Sequence, residues 1–294
     1  MKSYIEFKKQ RDFSALLTDT FGFIRNEFKP LVKALFNIAG PVILLFLVCL
    51  VIYMYITGDS GFEIDLYGST YYDDYNPFLK LIISFAYLGS LIIAYVFASA
   101  TVLYYIKSYV DNKGEVDLVE VKRSVNKSFW GMLGLTLLKW ITIFFSLLLC
   151  FLPVFYIMVP MMVTLSIYVF QPKRGATDAY SHSFYLINED FWLSLGTIVV
   201  LGIIFYVLNF VFTLPLLIYT TAKSGIFSGE IDPGNLESMT DPVYIIINVI
   251  ATLFQYVLNL ILIVGGAFIY FHLNEKRNFT GTYERINSIG NSDV

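Results

Sequence analysis

Long runs of apolar residues, separated by short polar segments, dominate the chain. A helix needs about 20 apolar residues to cross the hydrocarbon core of a membrane, and six runs reach or approach that length. They cover residues 31–57, 77–109, 129–151, 153–171, 191–221 and 242–273. This pattern predicts an all-α polytopic membrane protein with six transmembrane helices. We expect one membrane domain over residues 1–294, with an N-terminal tail to residue 30 and a C-terminal tail from residue 274.

Prolines predict kinks and one helix start. Pro41, Pro160 and Pro215 lie within the apolar runs and predict kinks there. The third and fourth runs join at residues 151–153 without a Gly, Asn or Asp turn. With Pro153 at the first position of the returning helix, we interpret the junction as a tight hairpin. A re-entrant pair of helices is the alternative and leaves the remaining topology unchanged.

Three polar segments carry apolar residues at helical spacing. They cover residues 12–28, 116–129 and 176–187, and each leads into an odd-numbered span. In the first segment one face holds Phe13, Leu16, Leu17, Phe21, Ile24 and Phe28, and the other holds Asp19, Arg25 and Glu27. Such segments are typical of amphipathic helices that lie in the membrane interface with the apolar face down. We therefore expect three interfacial helices.

Composition and charge support this membrane interpretation and orient the chain. Hydrophobic residues make up 57% of the chain and charged residues 15%, whereas soluble domains are about a quarter charged. The N-terminal part up to Lys33, the connections at residues 107–127 and 173–174, and the C-terminal tail hold 17 of the 20 Lys and Arg residues, and the loops at 58–76 and 224–241 are acidic. The positive-inside rule then places both termini in the cytoplasm. We expect a multi-pass protein of a bacterial inner membrane, in contact with lipid and with no nucleic-acid partner.

An internal repeat is suggested by two motifs 62 residues apart. The pattern F-W-x-x-L-G, seventeen residues, then L-P, occurs twice. Its residues are Phe129, Trp130, Gly134 and Pro153 in one copy and Phe191, Trp192, Gly196 and Pro215 in the other. The interpretation is a parallel repeat of an interfacial helix plus a spanning hairpin, used three times with the first copy diverged. Chance is the alternative, because interfacial aromatics and small residues are common in any spanning helix.

These junctions resemble a known membrane family. The amphipathic segment, the F-W-x-x-L-G motif and the L-P step, followed by residues 156–160, resemble the membrane-domain family named after glycerophosphodiester phosphodiesterases. Residues 178–186, leading to Phe191 and Trp192, resemble that family's second junction, and residues 12–41 are similar to uncharacterised membrane proteins of Bacteroidota. The resemblance implies a multi-helix membrane module that anchors or partners another protein. It carries over no catalytic residue, because family members with that activity hold it in a separate soluble barrel.

The residue types needed for catalysis or metal binding are scarce. His182 and His272 are the only histidines, and neither has Cys, Asp or Glu at ligand spacing. Cys49 and Cys150 lie in apolar runs, which is typical of small buried hydrophobes. No nucleophile elbow, phosphate-binding loop or dinucleotide fingerprint is present in the sequence. We therefore expect no enzymatic activity, no catalytic residue, no metal and no cofactor.

Lys139 is the sharpest single candidate for function. It lies ten residues after Phe129, about 15 Å along a helix, and so near mid-bilayer if Phe129 marks the interface. A charge there costs about 2.5–3.5 kcal/mol on insertion. One interpretation is an inward-facing cation that binds an anionic headgroup, a substrate or a partner carboxylate. The other is a lysine that snorkels to the interface.

A polar stripe follows one face of the sixth span. Its members are Asn248, Thr252, Gln255 and Asn259, spaced four, three and four residues apart. Polar groups in hydrocarbon must find partners, so the stripe predicts either interhelical hydrogen bonds that fix packing or a polar cavity shared with Asn209.

Two functions remain open at this stage. The leading hypothesis is a non-enzymatic membrane scaffold or subunit of a larger complex, with a membrane or periplasmic protein partner. The acidic, tyrosine-rich loop at residues 58–76 could serve as a docking surface, although a solvated loop is the simpler interpretation. The alternative function is a transporter or lipid-handling protein that uses Lys139 and the polar stripe in one cavity.

Overall fold

The computed structural model describes residues 4–57, 76–149, 151–223 and 241–290. Within those ranges the protein is built from α-helices, with a short 3-10 turn at Ile187–Glu189 and no β-strand. The helices are α1 (Phe13–Ile38), α2 (Gly40–Thr57), α3 (Pro77–Asp111), α4 (Leu118–Leu149), α5 (Phe151–Phe170), α6 (Ala176–Leu186), α7 (Phe191–Lys223), α8 (Pro242–Asn278) and α9 (Thr280–Gly290).

The helices suit a membrane, as the apolar runs predict. Among the described residues, five helices are long and apolar enough to cross a bilayer, and the broken pair α1–α2 makes a sixth candidate. Only a helix or a closed barrel can satisfy its own backbone hydrogen bonds in lipid. The prediction of an all-α polytopic membrane protein is confirmed, and the chain is a multi-pass integral membrane protein.

The break in the first candidate span lies later than the sequence predicts. We expected an interfacial helix to residue 28 and a span from residue 31, but α1 continues through Pro30 to Ile38. The chain breaks at Ala39, directly before Gly40 and Pro41. A proline in a second helical position lacks a donor and crowds the preceding turn, so the kink predicted at Pro41 is a break between two helices.

The second interfacial segment is also continuous with its span. Residues 116–129 do not form a separate helix, because α4 runs from Leu118 to Leu149 without interruption. The third segment is a separate helix, α6, which ends before the 3-10 turn. Helices α4, α5 and α6 contact one another, which agrees with the hairpin interpretation of the α4–α5 junction. Pro160 and Pro215 lie inside α5 and α7, which continue past them.

The amphipathic segment of α1 packs through a different face from the predicted one. The buried positions are Leu16, Thr20, Phe23, Glu27, Leu31, Ala34, Leu35 and Ile38. Glu27, expected on the polar face, is buried and accepts a hydrogen bond of 2.9 Å from the hydroxyl of Tyr105. Phe13 and Phe28, which we expect on the apolar face toward the membrane, are exposed. The two ends of the predicted apolar stripe are therefore at the surface, whereas Leu16 of that stripe packs inside together with the neighbouring face.

The two repeat motifs share local geometry but occupy different places in their helices. Each Phe ring meets the following Trp ring edge-on, with centroids 5.2 Å apart at Phe129–Trp130 and 5.4 Å apart at Phe191–Trp192. Both tryptophans are largely exposed. However, Phe129 lies well inside α4, whereas Phe191 begins α7. Pro153 lies near the start of α5 and Pro215 inside α7, so the second copy does not end its helix where the first does.

The small residues of the repeat make no close helix contact. A Cβ added at Gly134 would meet nothing within 4 Å, and one at Gly196 would only reach ordinary contact with Phe13, at 3.6 Å. The two glycines therefore do not mark a shared site of close approach.

Contacts divide the chain into two compact units. The first unit comprises Met1–Ala39, Val96–Tyr206 and Leu258–Val294, and the second comprises Gly40–Tyr95 and Val207–Val257. A cluster of rings forms part of the core of the first unit, with Phe7 stacked on Phe268 at 4.2 Å and edge-on to Phe23 at 5.1 Å. In the second unit Leu50, Met54 and Tyr244 form a buried cluster. The loops at residues 58–75 and 224–240, including the predicted docking loop, lie outside the described residues.

Candidate functional site

The segment before α1 folds back onto the first unit through Arg11. Its guanidinium donates to the backbone carbonyls of Glu6, Phe7 and Lys9 and, at 2.8 Å, to the carboxylate of Asp19. The Arg11 side chain is fully buried and lies 4.7 Å from the centre of the Phe268 ring. An arginine that satisfies its donors in this way stabilises one conformation of the surrounding backbone. The segment is therefore an ordered part of the fold and not a loose tail.

A second set of polar contacts joins α8 to the connection between α6 and α7. Nε2 of His272 lies 3.1 Å from the carboxylate of Asp190, and Nζ of Lys276 lies 2.6 Å from the same oxygen. Partial desolvation acts to raise the pKa of Asp190, but the bonds from Lys276 and His272 outweigh it and hold the pKa below the usual value. Arg277 extends the set, with its guanidinium bound to Glu189 at 2.8 Å. These ionic contacts connect segments more than 80 residues apart.

The corner between α8 and α9 is built around one carboxylate. Glu275 accepts hydrogen bonds from the backbone N–H groups of Gly281 and Thr282 and from the hydroxyls of Thr280 and Thr282. It thereby satisfies donors that the first turn of a helix leaves open. Phe279 adopts a left-handed conformation with φ of 51°, which is unfavourable for a bulky residue. The bonds to Glu275 offset this cost and set the direction of α9.

An apolar stripe is exposed on α9 and at the residue directly before it, comprising Phe279, Tyr283 and Ile286. Tyr283 and Ile286 are three residues apart, which places them on one side of the helix, and they are 62% and 58% exposed. On the other side, Glu284 forms an ion pair with Lys8 at 2.6 Å, and Arg285 forms one with Glu6 at 3.0 Å. The stripe thus lies on an anchored helix that follows the last candidate span.

These contacts bring together segments that carry basic residues, among them Lys8, Arg11, Lys107 and Arg285. The N-terminal segment meets α8 through Arg11, α5 meets α8 through Gln171 and Asn274 at 3.3 Å, and the backbone N–H of Ile5 donates to the hydroxyl of Tyr109 in α3. We name this meeting of the N-terminal segment with the ends of α3, α5, α8 and α9 the terminal assembly. It lies entirely within the first unit.

The predicted intramembrane candidates do not lie in this assembly. Lys139 is a half-buried residue of α4 in the first unit. In the second unit the side chain of Gln255 donates to the amide oxygen of Asn209 at 3.4 Å, and the hydroxyl of Thr252 lies 3.5 Å from the amide oxygen of Asn248. Asn259 is half-buried and belongs to the first unit. The structure thus brings together two pairs of the polar stripe.

Sequence reasoning missed the terminal assembly. His272 has no candidate partner at ligand spacing in the sequence, but in the structure it is buried and bonded on both ring nitrogens. The tail after residue 273 was not expected to contain a helix. The spacing of Phe279, Tyr283 and Ile286 was a usable signal for α9, whereas the burial of Arg11 and Glu27 depends on partners far away in the sequence.

No metal-ligand group in the described residues and no similar protein points to a particular activity. The described part of the chain contains no group of three or more His, Cys, Asp or Glu residues that could hold a metal ion. Comparison with protein-family models, with curated proteins and with solved structures finds no match to this chain.

Proposed function

We propose that this integral membrane protein is a non-enzymatic scaffold or a subunit of a larger complex in the bacterial inner membrane. The observation that carries the proposal is the exposed apolar stripe on α9. Exposed apolar residues that line up beyond a span are typical of a surface that contacts another protein. The partner protein would bind Tyr283 and Ile286 with an apolar helix face or an apolar groove.

Rigidity supports a docking role for α9. Glu275 caps the helix, and surface ion pairs join Glu284 to Lys8 and Arg285 to Glu6. A preordered surface loses less conformational entropy when it binds than a flexible tail would. The stripe can therefore bind a partner without prior folding.

The charge pattern and the family resemblance also support a partner on the cytoplasmic side. The positive-inside rule places both termini in the cytoplasm, and α9 lies in the C-terminal tail, so the rule favours a cytoplasmic position for α9. The resemblance to the membrane-domain family named after glycerophosphodiester phosphodiesterases also implies a module that partners another protein. We therefore propose that the partner is bound on the cytoplasmic side.

The contacts of the polar stripe favour packing over a transport pathway. Gln255 bonds Asn209, and Thr252 bonds Asn248, so these side chains have partners inside the protein. Of these two bonds, only the one between Gln255 of α8 and Asn209 of α7 joins two helices, and interhelical hydrogen bonds of that kind fix the packing of spanning helices. A transport pathway would need such groups to be available to a substrate.

The test is purification of the full chain from its native cell in a mild detergent, followed by mass spectrometry. We expect a stoichiometric protein partner with the wild-type chain, and its loss with the double variant Tyr283→Ser/Ile286→Ser. The matched control is Tyr206→Ser, which removes an equally exposed tyrosine from α7 and should retain the partner.

Two results would overturn the proposal. One is a lone, monodisperse protein, and if that protein carried a bound small molecule, the transporter hypothesis would replace the scaffold. The other is a partner whose recovery is the same with the α9 double variant as with the wild type, at equal membrane levels.

A further inference from the structure

A cavity of about 370 Å³ opens within the terminal assembly. This volume is within the range of small-molecule sites, about 300–1,000 Å³. One wall is aromatic, since the Phe170 ring stacks on Tyr270 at 5.3 Å and contacts Phe271 at 4.6 Å. The cavity is therefore large enough for a small organic ligand and has one apolar wall.

Another part of the lining is a chain of side-chain amides. Gln171 donates to the hydroxyl of Tyr270 at 3.2 Å and to the amide oxygen of Asn274 at 3.3 Å. Asn278 donates to the same oxygen of Asn274 at 2.8 Å. Each of these groups also has further hydrogen-bonding capacity. This part of the lining is thus polar, uncharged and held in place by its own bonds.

Four charged residues line the cavity, and they differ in whether they form an ion pair. Lys8 and Glu284 form an ion pair with each other. Lys107 and Asp111 both lie on α3, one helical turn apart, which places their Cβ atoms about 5–6 Å from each other. Within the described ranges, Lys107 has no carboxylate at ion-pair distance, and Asp111 has no cation. The amine of Lys107 is oriented by the carbonyl of Val169, at 3.1 Å.

We propose that this cavity binds a small zwitterion that carries a primary ammonium group and a phosphate. Lys107 binds the phosphate and Asp111 binds the ammonium group. A simple anion fits less well, because the carboxylates of Asp111 and Glu284 would repel it. A simple cation also fits less well, because the ammonium groups of Lys8 and Lys107 would repel it. Phosphoethanolamine in solution and the headgroup of phosphatidylethanolamine share this chemistry, and either can be the source.

The test uses the full-length protein and two ligand forms. Binding of phosphoethanolamine in detergent is followed by the shift in thermal unfolding, read from tryptophan fluorescence. The lipid source is tested by native mass spectrometry of the protein taken from nanodiscs that contain phosphatidylethanolamine and phosphatidylcholine in equal amounts. Phosphocholine and inorganic phosphate are the controls, because the first lacks ammonium N–H donors and the second lacks the ammonium group.

We expect saturable binding of phosphoethanolamine, selective retention of phosphatidylethanolamine, or both, and much weaker binding of the controls. Lys107→Gln and Asp111→Asn should each weaken binding about tenfold, since each removes one charge-assisted contact. Asp111 is exposed, so its variant keeps the test sound even if Lys107→Gln alters the end of α5. Lys127→Gln and Glu115→Gln change exposed charges outside the cavity and should bind as the wild type does.

Three outcomes would overturn the inference. They are no binding of either ligand form to the wild-type protein, equal binding of phosphocholine or inorganic phosphate, and binding that is unchanged in the Asp111→Asn variant. None of them bears on the α9 stripe, so this inference can fail while the scaffold proposal stands.

Discussion

The backbone N–H of Arg11 donates a hydrogen bond to Nδ1 of His272 at 3.0 Å. An accepting Nδ1 requires the tautomer with its proton on Nε2, which then donates to Asp190 at 3.1 Å. One neutral imidazole thus connects the N-terminal segment to the connection before α7. If Nδ1 were protonated, its N–H would face the backbone N–H of Arg11, and the hydrogen bond between Arg11 and His272 would be lost.

Asp190 is expected to make stability depend on pH. Its folded-state pKa lies below the usual value of 3.8, so its contribution is fully present above about pH 4 and is lost as the pH falls through the folded-state pKa. Asp190→Asn should lower stability at pH 7 by about 1 kcal/mol, because the carboxylate is partly exposed. The measurement is thermal unfolding in detergent between pH 3 and 7. A difference between variant and wild type that stays constant below pH 4 would contradict the assignment.

Gly281 is expected to be intolerant of any side chain. A Cβ at this position would collide with the backbone carbonyl oxygen of Lys8 and come within 2.8 Å of the Lys8 Cβ. Gly281→Ala should therefore displace the N-terminal segment from α9, at a cost of about 1–3 kcal/mol. Limited proteolysis before Asp12 would report the displacement as faster cleavage. Gly134→Ala, where an added Cβ meets nothing within 4 Å, is the control and should be cleaved at the wild-type rate.

The spanning helices were predictable because the bilayer imposes a simple rule. A segment in lipid must satisfy its backbone internally and expose apolar side chains, so length and composition alone locate α3, α7 and α8. Helix breaks do not follow from that rule. An interfacial helix and a span are both helical, so length and composition do not show that α4 is continuous across residue 129, or that the break in the first candidate span lies beside Pro41 and not near residue 30.

The terminal assembly was less predictable, because its contacts are distant in sequence. Glu27 looks like a solvated residue of an amphipathic helix until Tyr105, 78 residues away, provides a donor. The corner at Phe279 has no glycine or asparagine to mark its left-handed conformation. The sequence-based candidates Gln255 and Asn209 do meet, since a polar side chain in a span must find a partner.

The buried bond between Tyr105 and Glu27 is expected to stabilise the first unit measurably. Tyr105→Phe removes the hydroxyl donor and should cost about 1–3 kcal/mol, the range for removing one partner of a buried hydrogen bond. Glu27→Gln should cost less, because an amide oxygen can still accept from the tyrosine. Chemical unfolding of the single and double variants gives the coupling between the two residues. Tyr283→Phe changes an exposed tyrosine and should be neutral, and an equal loss there would refute the specific role of the buried bond.

The contact between Gln255 and Asn209 is expected to be weak. The nitrogen and oxygen lie 3.4 Å apart, near the long limit for a hydrogen bond, and interhelical bonds between spanning helices average about 0.6 kcal/mol. Gln255→Leu, Asn209→Leu and the double variant, unfolded by a denaturing detergent, should show a coupling energy of that size. If the two amides instead line a polar pathway, leucine at either position should leave stability unchanged or raise it, and the coupling should vanish. The coupling energy therefore separates packing from transport at the one place where the polar stripe reaches another helix.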